Sequence, residues 1–216
     1  IAYVSFEKRK PVIFIHELAT GQRFVVAGFK GNNSAPAWSP DSQSLALALT
    51  YNGEAQIYSI PAVGGTPKRL TISNGIDTEP TFSPDGKWVY FTSDRGGSPQ
   101  IYRAPASGGD ASRITFEGGY NVSPKISPDG KNLVCVRQTG GGFKVVLHDL
   151  ASGVSNIMTQ TLHDEAPSFS PNGELILYAT QVKGKKELAV VSVDGGMRQR
   201  LHVGNGDIQE PNWSRQ

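Results

Sequence analysis

Acidic residues recur in this sequence just before a repeated proline. They are Asp77, Glu79, Asp164, Glu165, Asp207 and Glu210. Carboxylates that converge on one site repel one another, and their oxygens are ligands that Ca²⁺ prefers. The pattern therefore leaves two alternatives open: a calcium site, or carboxylates that are hydrated or bonded to backbone amides. Calcium is the one cofactor that the sequence leaves open, and we expect no other.

The remaining reactive side chains show no catalytic or metal-binding arrangement. Cys135 alternates with Leu133 and Arg137 in a strand-like run, which predicts a buried structural thiol. The sequence contains no Gly-x-Ser-x-Gly nucleophile motif. The four histidines lie in different repeats without ligand spacing and are His16, His148, His163 and His202. We therefore predict that the protein is not an enzyme.

The prolines that follow the acidic residues belong to a phrase repeated along the whole chain. Four full copies and one truncated copy lie at 35–41, 79–86, 123–130, 166–173 and 210–214. Their leading prolines are Pro36, Pro80, Pro124, Pro167 and Pro211, which follow one another in steps of 44, 44, 43 and 44 residues. A period of about 40–50 residues built from short strands is typical of a β-propeller, with one blade per repeat. The sequence predicts an all-β propeller of four-stranded antiparallel blades, with about five repeats in one domain spanning 1–216.

One repeat shows how each blade is built. We place its four strands at 80–83, 88–92, 100–104 and 112–115, with turns rich in proline, glycine and aspartate between them. Because proline cannot donate to a strand ladder, we expect each innermost strand to start at its leading proline. The spacing leaves open whether the chain closes a five-bladed ring or forms an arc of a larger one.

This topology selects candidate binding residues. The residues before each leading proline should surround the central channel on one face, and the turns between second and third strands should open on that face. These segments vary between repeats, and variable loops on a rigid scaffold commonly carry function. We predict that the residues that bind a partner are Asn32, Asn33, Ala35, Asp77, Thr78, Glu79, Thr92, Asp94, Arg95, Asn121, Ser123, Asp164, Glu165 and Glu210.

Two stretches carry a resemblance to a known family. They are 77–85, which reads DTEPTFSPD, and 91–102, which reads FTSDRGGSPQIY. These stretches resemble the TolB propeller family most specifically, and the resemblance extends over essentially the whole chain. Members of that family carry a six-bladed propeller behind a smaller α/β amino-terminal domain. The resemblance implies that this chain lacks that domain and one blade, and corresponds to the carboxy-terminal five-sixths of the propeller.

The resemblance also implies a function. TolB-like proteins are periplasmic components of the Tol–Pal envelope system, which supports outer-membrane integrity and cell division. Their propeller binds the lipoprotein Pal, their amino-terminal region contacts other Tol proteins, and colicin peptides use the same propeller pocket. On this resemblance Asn32, Ala35, Thr78 and Glu79 fall on motif positions of the Pal-binding face.

Other function classes are less compatible with the sequence. A net charge of +2 without a large basic cluster argues against a nucleic-acid partner. No apolar run approaches the roughly 18 residues of a membrane span, so we expect no membrane insertion. The alternative function is a propeller domain of a hydrolase, either a prolyl-oligopeptidase-like gating domain or a metal-dependent propeller of the lactonase type.

Overall fold

The computed structural model describes residues 1–51, 53–201, 208 and 210–213. Its described residues form five antiparallel sheets, one with three strands and four with four strands, each built from consecutive strands of the chain. The sheets are blades of a β-propeller, so the predicted fold class is confirmed. Contacts divide the chain into two compact units, Ile1–Arg113 and Ile114–Gln216. No helix among the described residues has the length and apolarity needed to span a membrane.

The first unit contains three blades. The first blade has three strands, β1 (Ala2–Ser5), β2 (Val12–His16) and β3 (Arg23–Ala27). The second blade has four strands, β4 (Asn33–Trp38), β5 (Ser44–Leu49), β6 (Gln56–Pro61) and β7 (Lys68–Arg69). The third blade has four strands, β8 (Asp77–Phe82), β9 (Trp88–Ser93), β10 (Gln100–Pro105) and β11 (Ser112–Arg113).

The second unit contains two blades. The fourth blade consists of β12 (Asn121–Ile126), β13 (Asn132–Thr139), β14 (Gly142–Asp149) and β15 (Ser155–Ile157). The fifth blade consists of β16 (Glu165–Phe169), β17 (Leu175–Val182), β18 (Lys185–Ser192) and β19 (Arg198–Leu201). The central hairpins of these two blades have strands of eight residues, whereas those of the second and third blades have strands of six.

The second and third strands of each blade form the apolar core. In the first unit, Leu47 and Phe91 are fully buried, and Phe82 packs against the cluster that joins the second and third blades. In the second unit, Phe169 belongs to the cluster that joins the fourth and fifth blades. The aromatic residue of the repeated phrase therefore packs between blades at these two positions. Trp38, at the equivalent position of the second blade, keeps 36% of its surface exposed.

The Ser-Pro-Asp turn of the repeated phrase is closed by its own side chains. Ser83 Oγ donates to Asp85 Oδ1 at 2.5 Å, and Lys87 N donates to the same oxygen at 3.1 Å. Trp88 N donates to Ser83 Oγ at 3.0 Å, which starts the next strand. The hydrogen bond from Ser83 holds the pKa of Asp85 below its ordinary value. Equivalent bonds recur in the other three full copies, and Asn172 replaces the aspartate in the last.

Cys135 is buried, as its alternation in the sequence predicts. Burial raises the pKa of its thiol to about 12. The thiolate, which is the reactive form, is therefore scarce at neutral pH.

We expect Cys135 to be unreactive in the native chain. Ellman's reagent at pH 8 should modify the guanidinium-unfolded protein within minutes and leave the native protein unmodified over the same time. Rapid modification of the native protein would show that the thiol is accessible.

One turn of the repeat offers a direct test of backbone strain. Ser42 has φ 59°, and the equivalent residues Gly86, Gly130 and Gly173 have φ 70–75°. We expect Ser42→Gly to raise the free energy of unfolding by about 0.5–1 kcal/mol, because relief of about 1–2 kcal/mol of left-handed strain exceeds the entropy cost of glycine. Urea unfolding measures this change.

The matched control is the reverse exchange in the next blade. Gly86→Ser should lower the free energy of unfolding by a similar amount. A Ser42→Gly variant no more stable than the parent would contradict this account of the turn.

Candidate functional site

The innermost strands of the second, third and fourth blades begin three residues earlier than the sequence suggested, and that of the fifth begins two residues earlier, at Glu165. In the second, third and fourth blades they start at Asn33, Asp77 and Asn121, and the leading proline lies inside the strand. The expectation that each strand starts at its proline was therefore wrong. The pairing register skips one residue at each proline, for example between Thr78 and Thr81, so a β-bulge accommodates the missing N–H.

A non-glycine residue in the left-handed region precedes every leading proline. The five residues have φ between 46° and 56° and are Ala35, Glu79, Ser123, Ala166 and Glu210. Such a conformation costs about 1–2 kcal/mol per residue. Strain of this kind persists where the surrounding structure imposes it, and bulges redirect side chains at functional edges. We call these five residues the rim positions.

A buried polar residue lies two positions before the rim position in four blades. These residues are at most 1% exposed and are Asn33, Asp77, Asn121 and Asp164. Asn33 illustrates their role, since its Oδ1 accepts from Phe29 N at 3.0 Å and its Nδ2 donates to Phe29 O at 3.0 Å and Pro11 O at 3.2 Å. The side chain thus ties the incoming connection to the start of the innermost strand.

In the third blade this role falls to a buried ion pair. Arg95 Nη2 donates to Asp77 Oδ2 at 2.7 Å, and Asp77 is fully buried. The guanidinium lies over the rings of Phe91 and Tyr102, 5.3 and 5.1 Å from their centroids. Next to it, Asp94 Oδ1 accepts from Ile76 N at 2.7 Å. The turn after β9 therefore holds the start of β8 by side-chain contacts.

The fourth blade meets the same requirement with different residues. Asn121 Oδ1 accepts from Arg137 Nε at 2.9 Å, and Arg137 Nη1 lies 3.0 Å from Glu117 Oε2. Burial and the charge of Arg137 lower the pKa of His148, which bonds Ser155 Oγ at 2.9 Å.

The fifth blade uses a carboxylate bonded by three hydroxyls. Asp164 accepts hydrogen bonds from Thr159, from Thr161 at 2.5 Å and from Thr180 at 2.6 Å. Its charge is satisfied inside the blade. Asp164 therefore cannot offer a carboxylate to solvent.

Burial divides the predicted partner-binding residues into two groups. Asn33, Asp77, Asn121 and Asp164 are buried, and their side chains position the rim. Thr92 is also buried, and its Oγ1 donates to Glu79 Oε2 at 2.8 Å. Residue types and spacing did not indicate these contacts, since several of the partners, such as Arg95 for Asp77 and Arg137 for Asn121, come from the other end of a hairpin.

The other predicted residues lie at or near the surface. Asn32, Glu165 and Glu210 are exposed, and the half-buried ones are Ala35, Thr78, Glu79, Asp94, Arg95 and Ser123. Asn32 N donates to Thr50 Oγ1 at 2.7 Å. In the third blade, Thr78 pairs with Thr92, so the rim and the adjacent turn share one end of the sheet, as predicted. Asp207 and His202 lie outside the described residues.

The described residues contain no preformed cluster of metal ligands at the rim. Within that part of the chain, no three His, Cys, Asp or Glu side chains are grouped to hold an ion. The buried Asp77 and Asp164 already have partners inside their own blades. Calcium at the rim stays a prediction for a binding experiment.

We expect the Asp77–Arg95 pair to control the stability of the third blade. Arg95→Ala should lower the free energy of unfolding by about 3 kcal/mol, because it leaves a fully buried carboxylate unpaired. Adding Asp77→Asn should recover part of that loss. Urea unfolding of the single and double variants measures both effects.

The control is an exposed ion pair of the same blade. Lys87 Nζ lies 3.7 Å from Asp85 Oδ2 at the surface, and Lys87→Ala should cost at most about 0.5 kcal/mol. Equal losses for Arg95→Ala and Lys87→Ala would contradict the role given to the buried pair.

Comparison with known proteins gives a consistent result. A family model described as the TolB beta propeller domain matches residues 1–216. The Tol-Pal system protein TolB of Bordetella pertussis is 55% identical over 214 residues, which cover 99% of this chain and 49% of that protein. The Tol-Pal system protein TolB of Methylobacillus flagellatus is 58% identical over 213 residues, with 99% and 49% covered.

A solved structure agrees with the sequence relatives. The crystal structure of TolB from Acinetobacter baumannii superposes with a TM-score of 0.91 at 44% identity. The match covers 98% of this chain and 53% of that one. The chain thus spans about half the length of the relatives it matches.

Proposed function

This chain belongs to the TolB β-propeller family, and from that premise we propose that it is a non-enzymatic, protein-binding scaffold of the Tol–Pal cell-envelope system. Its partner is the lipoprotein Pal, bound at the rim positions and the adjacent turns. The proposed location is the periplasm, and the proposed role is support of outer-membrane integrity and cell division. Colicin peptides would compete for the same surface, and other Tol proteins would bind regions of the relatives beyond this chain.

The observation that supports this proposal most directly is the rigid presentation of Glu79. Its backbone is in the left-handed region at φ 52°, and its carboxylate accepts a hydrogen bond from the buried Thr92. Two residues earlier, Asp77 is fixed by its ion pair with Arg95. The half-buried Thr78 and Glu79 are therefore held in one geometry before any partner arrives.

Pre-organisation of this kind favours partner binding. A partner that meets ordered side chains loses less conformational entropy on association. The rim carboxylates then set the charge preference of the surface, which influences specificity and the rate of association. Binding by this route requires no covalent step.

We expect substitutions at Thr78 and Glu79 to weaken Pal binding while the chain stays folded. Glu79→Lys reverses a charge and removes the acceptor for Thr92, and Thr78→Ile adds bulk beside it. Each should weaken binding at least about tenfold, equivalent to about 1.4 kcal/mol. Calorimetric titration with a soluble Pal domain, with and without calcium, measures the affinities.

The matched control is Asp110→Lys, which makes the same charge reversal in an exposed outer turn of the third blade. It should bind Pal like the parent. Full affinity of folded Glu79→Lys and Thr78→Ile would contradict the proposed site. A gain in affinity with calcium would support the carboxylate site that the sequence left open, and equal affinities would count against it.

A further inference from the structure

The second unit contains a pocket of about 400 Å³ at the rim end of its two blades. Its lining combines an aromatic pair, Tyr120 and Phe143, with the polar side chains of Glu165, Gln181 and Lys186. Pockets that bind small molecules typically enclose about 300–1,000 Å³ and combine apolar side chains with a few polar groups. This pocket has that size and that combination, so its lining indicates which class of ligand it suits.

The aromatic pair offers a ligand the surface of a ring. The rings of Tyr120 and Phe143 are 5.8 Å apart and meet edge to face at 66°. Phe143 keeps 36% of its surface exposed, and Val122 and Val136 add apolar surface to the lining. The face of an aromatic ring is electron-rich and attracts groups with a small positive charge, such as C–H groups next to oxygen.

The hairpin of the fourth blade holds Phe143 against the start of the fifth blade. Phe143 N donates to Leu162 O at 2.8 Å, and Asp164 N donates to Phe143 O at 3.0 Å. A side chain at Gly142 would collide with the backbone carbonyl of Leu162, so the hairpin lies directly against this connection. Because Glu165 follows at once as the first residue of β16, the aromatic and polar parts of the lining are fixed relative to each other.

The polar side chains of the lining place hydrogen-bond donors and acceptors side by side. Lys186 Nζ lies 2.8 Å from Glu165 Oε1, and Gln181 is the cross-strand partner of Lys186 in the β17–β18 hairpin. A carboxylate only accepts, an ammonium only donates, and an amide does both. Two neighbouring hydroxyl groups match this arrangement, because each hydroxyl can donate to the carboxylate or accept from the ammonium or the amide.

The charges of the lining favour a neutral ligand. Among the described residues of the lining, the carboxylates of Asp164 and Glu165 stand against the ammonium of Lys186, so an anion would be repelled. Asp164 is buried and accepts from three threonines, and Glu165 is paired with Lys186. A cation would therefore meet no uncompensated carboxylate in this part of the lining.

We propose that this pocket binds the ring of a neutral saccharide. The C–H face of the sugar packs against Phe143 and Tyr120, and two neighbouring hydroxyls bond Glu165 and Lys186. Gln181 bonds a further hydroxyl. The proposal is independent of the Pal partner proposed above, because it concerns another class of ligand and only the fourth and fifth blades.

Saturation-transfer NMR of methyl β-D-glucopyranoside with the full chain at pH 8 tests this inference. All ring substituents of this sugar are equatorial, so both of its faces present C–H groups. Saturation should reach the ring C–H protons most strongly and should level off as the sugar concentration rises. The same ring with a carboxylate at C6 should bind at least severalfold more weakly, because the lining carries more carboxylates than ammonium groups.

Variants of the aromatic wall separate the pocket from general surface contact. Phe143→Ala should weaken glucoside binding about tenfold, because it removes one of the two rings against which the sugar packs. The matched control is Phe6→Ala, which removes a ring that is 69% exposed in the first unit. It should leave the affinity unchanged.

Variants of the lysines test the polar part of the lining. Lys186→Met keeps the apolar stem and removes the donors, and it should weaken binding severalfold. The matched control is Lys185→Met at the neighbouring, exposed residue of β18. Because side chains alternate along a strand, Lys185 points to the opposite face, and its replacement should change the affinity by less than about twofold.

Four outcomes would overturn the inference. They are no saturable binding of the glucoside by the folded parent, equal affinities for the neutral and the carboxylated sugar, equal losses for Phe143→Ala and Phe6→Ala, and equal losses for Lys186→Met and Lys185→Met. None of them bears on Pal binding, which is measured separately with the Pal domain.

Discussion

A polar side chain enclosed at the start of the innermost strand is the interaction on which the rim depends. Its chemistry differs between blades: an amide in Asn33, an ion pair in Asp77 with Arg95, and a carboxylate bonded by threonines in Asp164. Each arrangement gives the buried polar group its hydrogen-bond partners. Without them the folded state would lose about 1–3 kcal/mol of stability for a neutral group and more for a charged one. The rim position, two residues further along the strand, can then hold its strained left-handed conformation.

That arrangement separates stability from recognition. The left-handed residue and its proline form a bulge in every described innermost strand, so the backbone of the rim repeats. The side chains on it do not repeat, and they range from Ala35 and Ala166 to Glu79 and Glu210. The strands of the central hairpin lengthen from six residues in the third blade to eight in the fourth. Different rim chemistry is therefore mounted on one scaffold.

The sequence predicted the architecture well because the repeated turn and the constant repeat length can both be read from residue types and spacing alone. The hydrogen bond between Ser83 and Asp85 closes its turn within three residues. The leading proline, which is Pro80 in the third blade, marks the same place in each repeat. The bulge was missed because Glu79 and its equivalents are not glycines, so nothing in their identity signals a positive φ. Burial of Asp77 was missed because its partner Arg95 lies 18 residues away. Spacing alone indicates which residues share an edge, and it does not indicate which of them are already paired.

Hydrogen exchange of the backbone amides, with and without a soluble Pal domain, tests the central claim most directly. The account predicts that Pal slows exchange at 76–79 and 92–95 in the third blade and leaves the outer turn at 107–111 unchanged. Protection confined to the outer turns, or to the Ser-Pro-Asp turns at the opposite end of the blades, would contradict it.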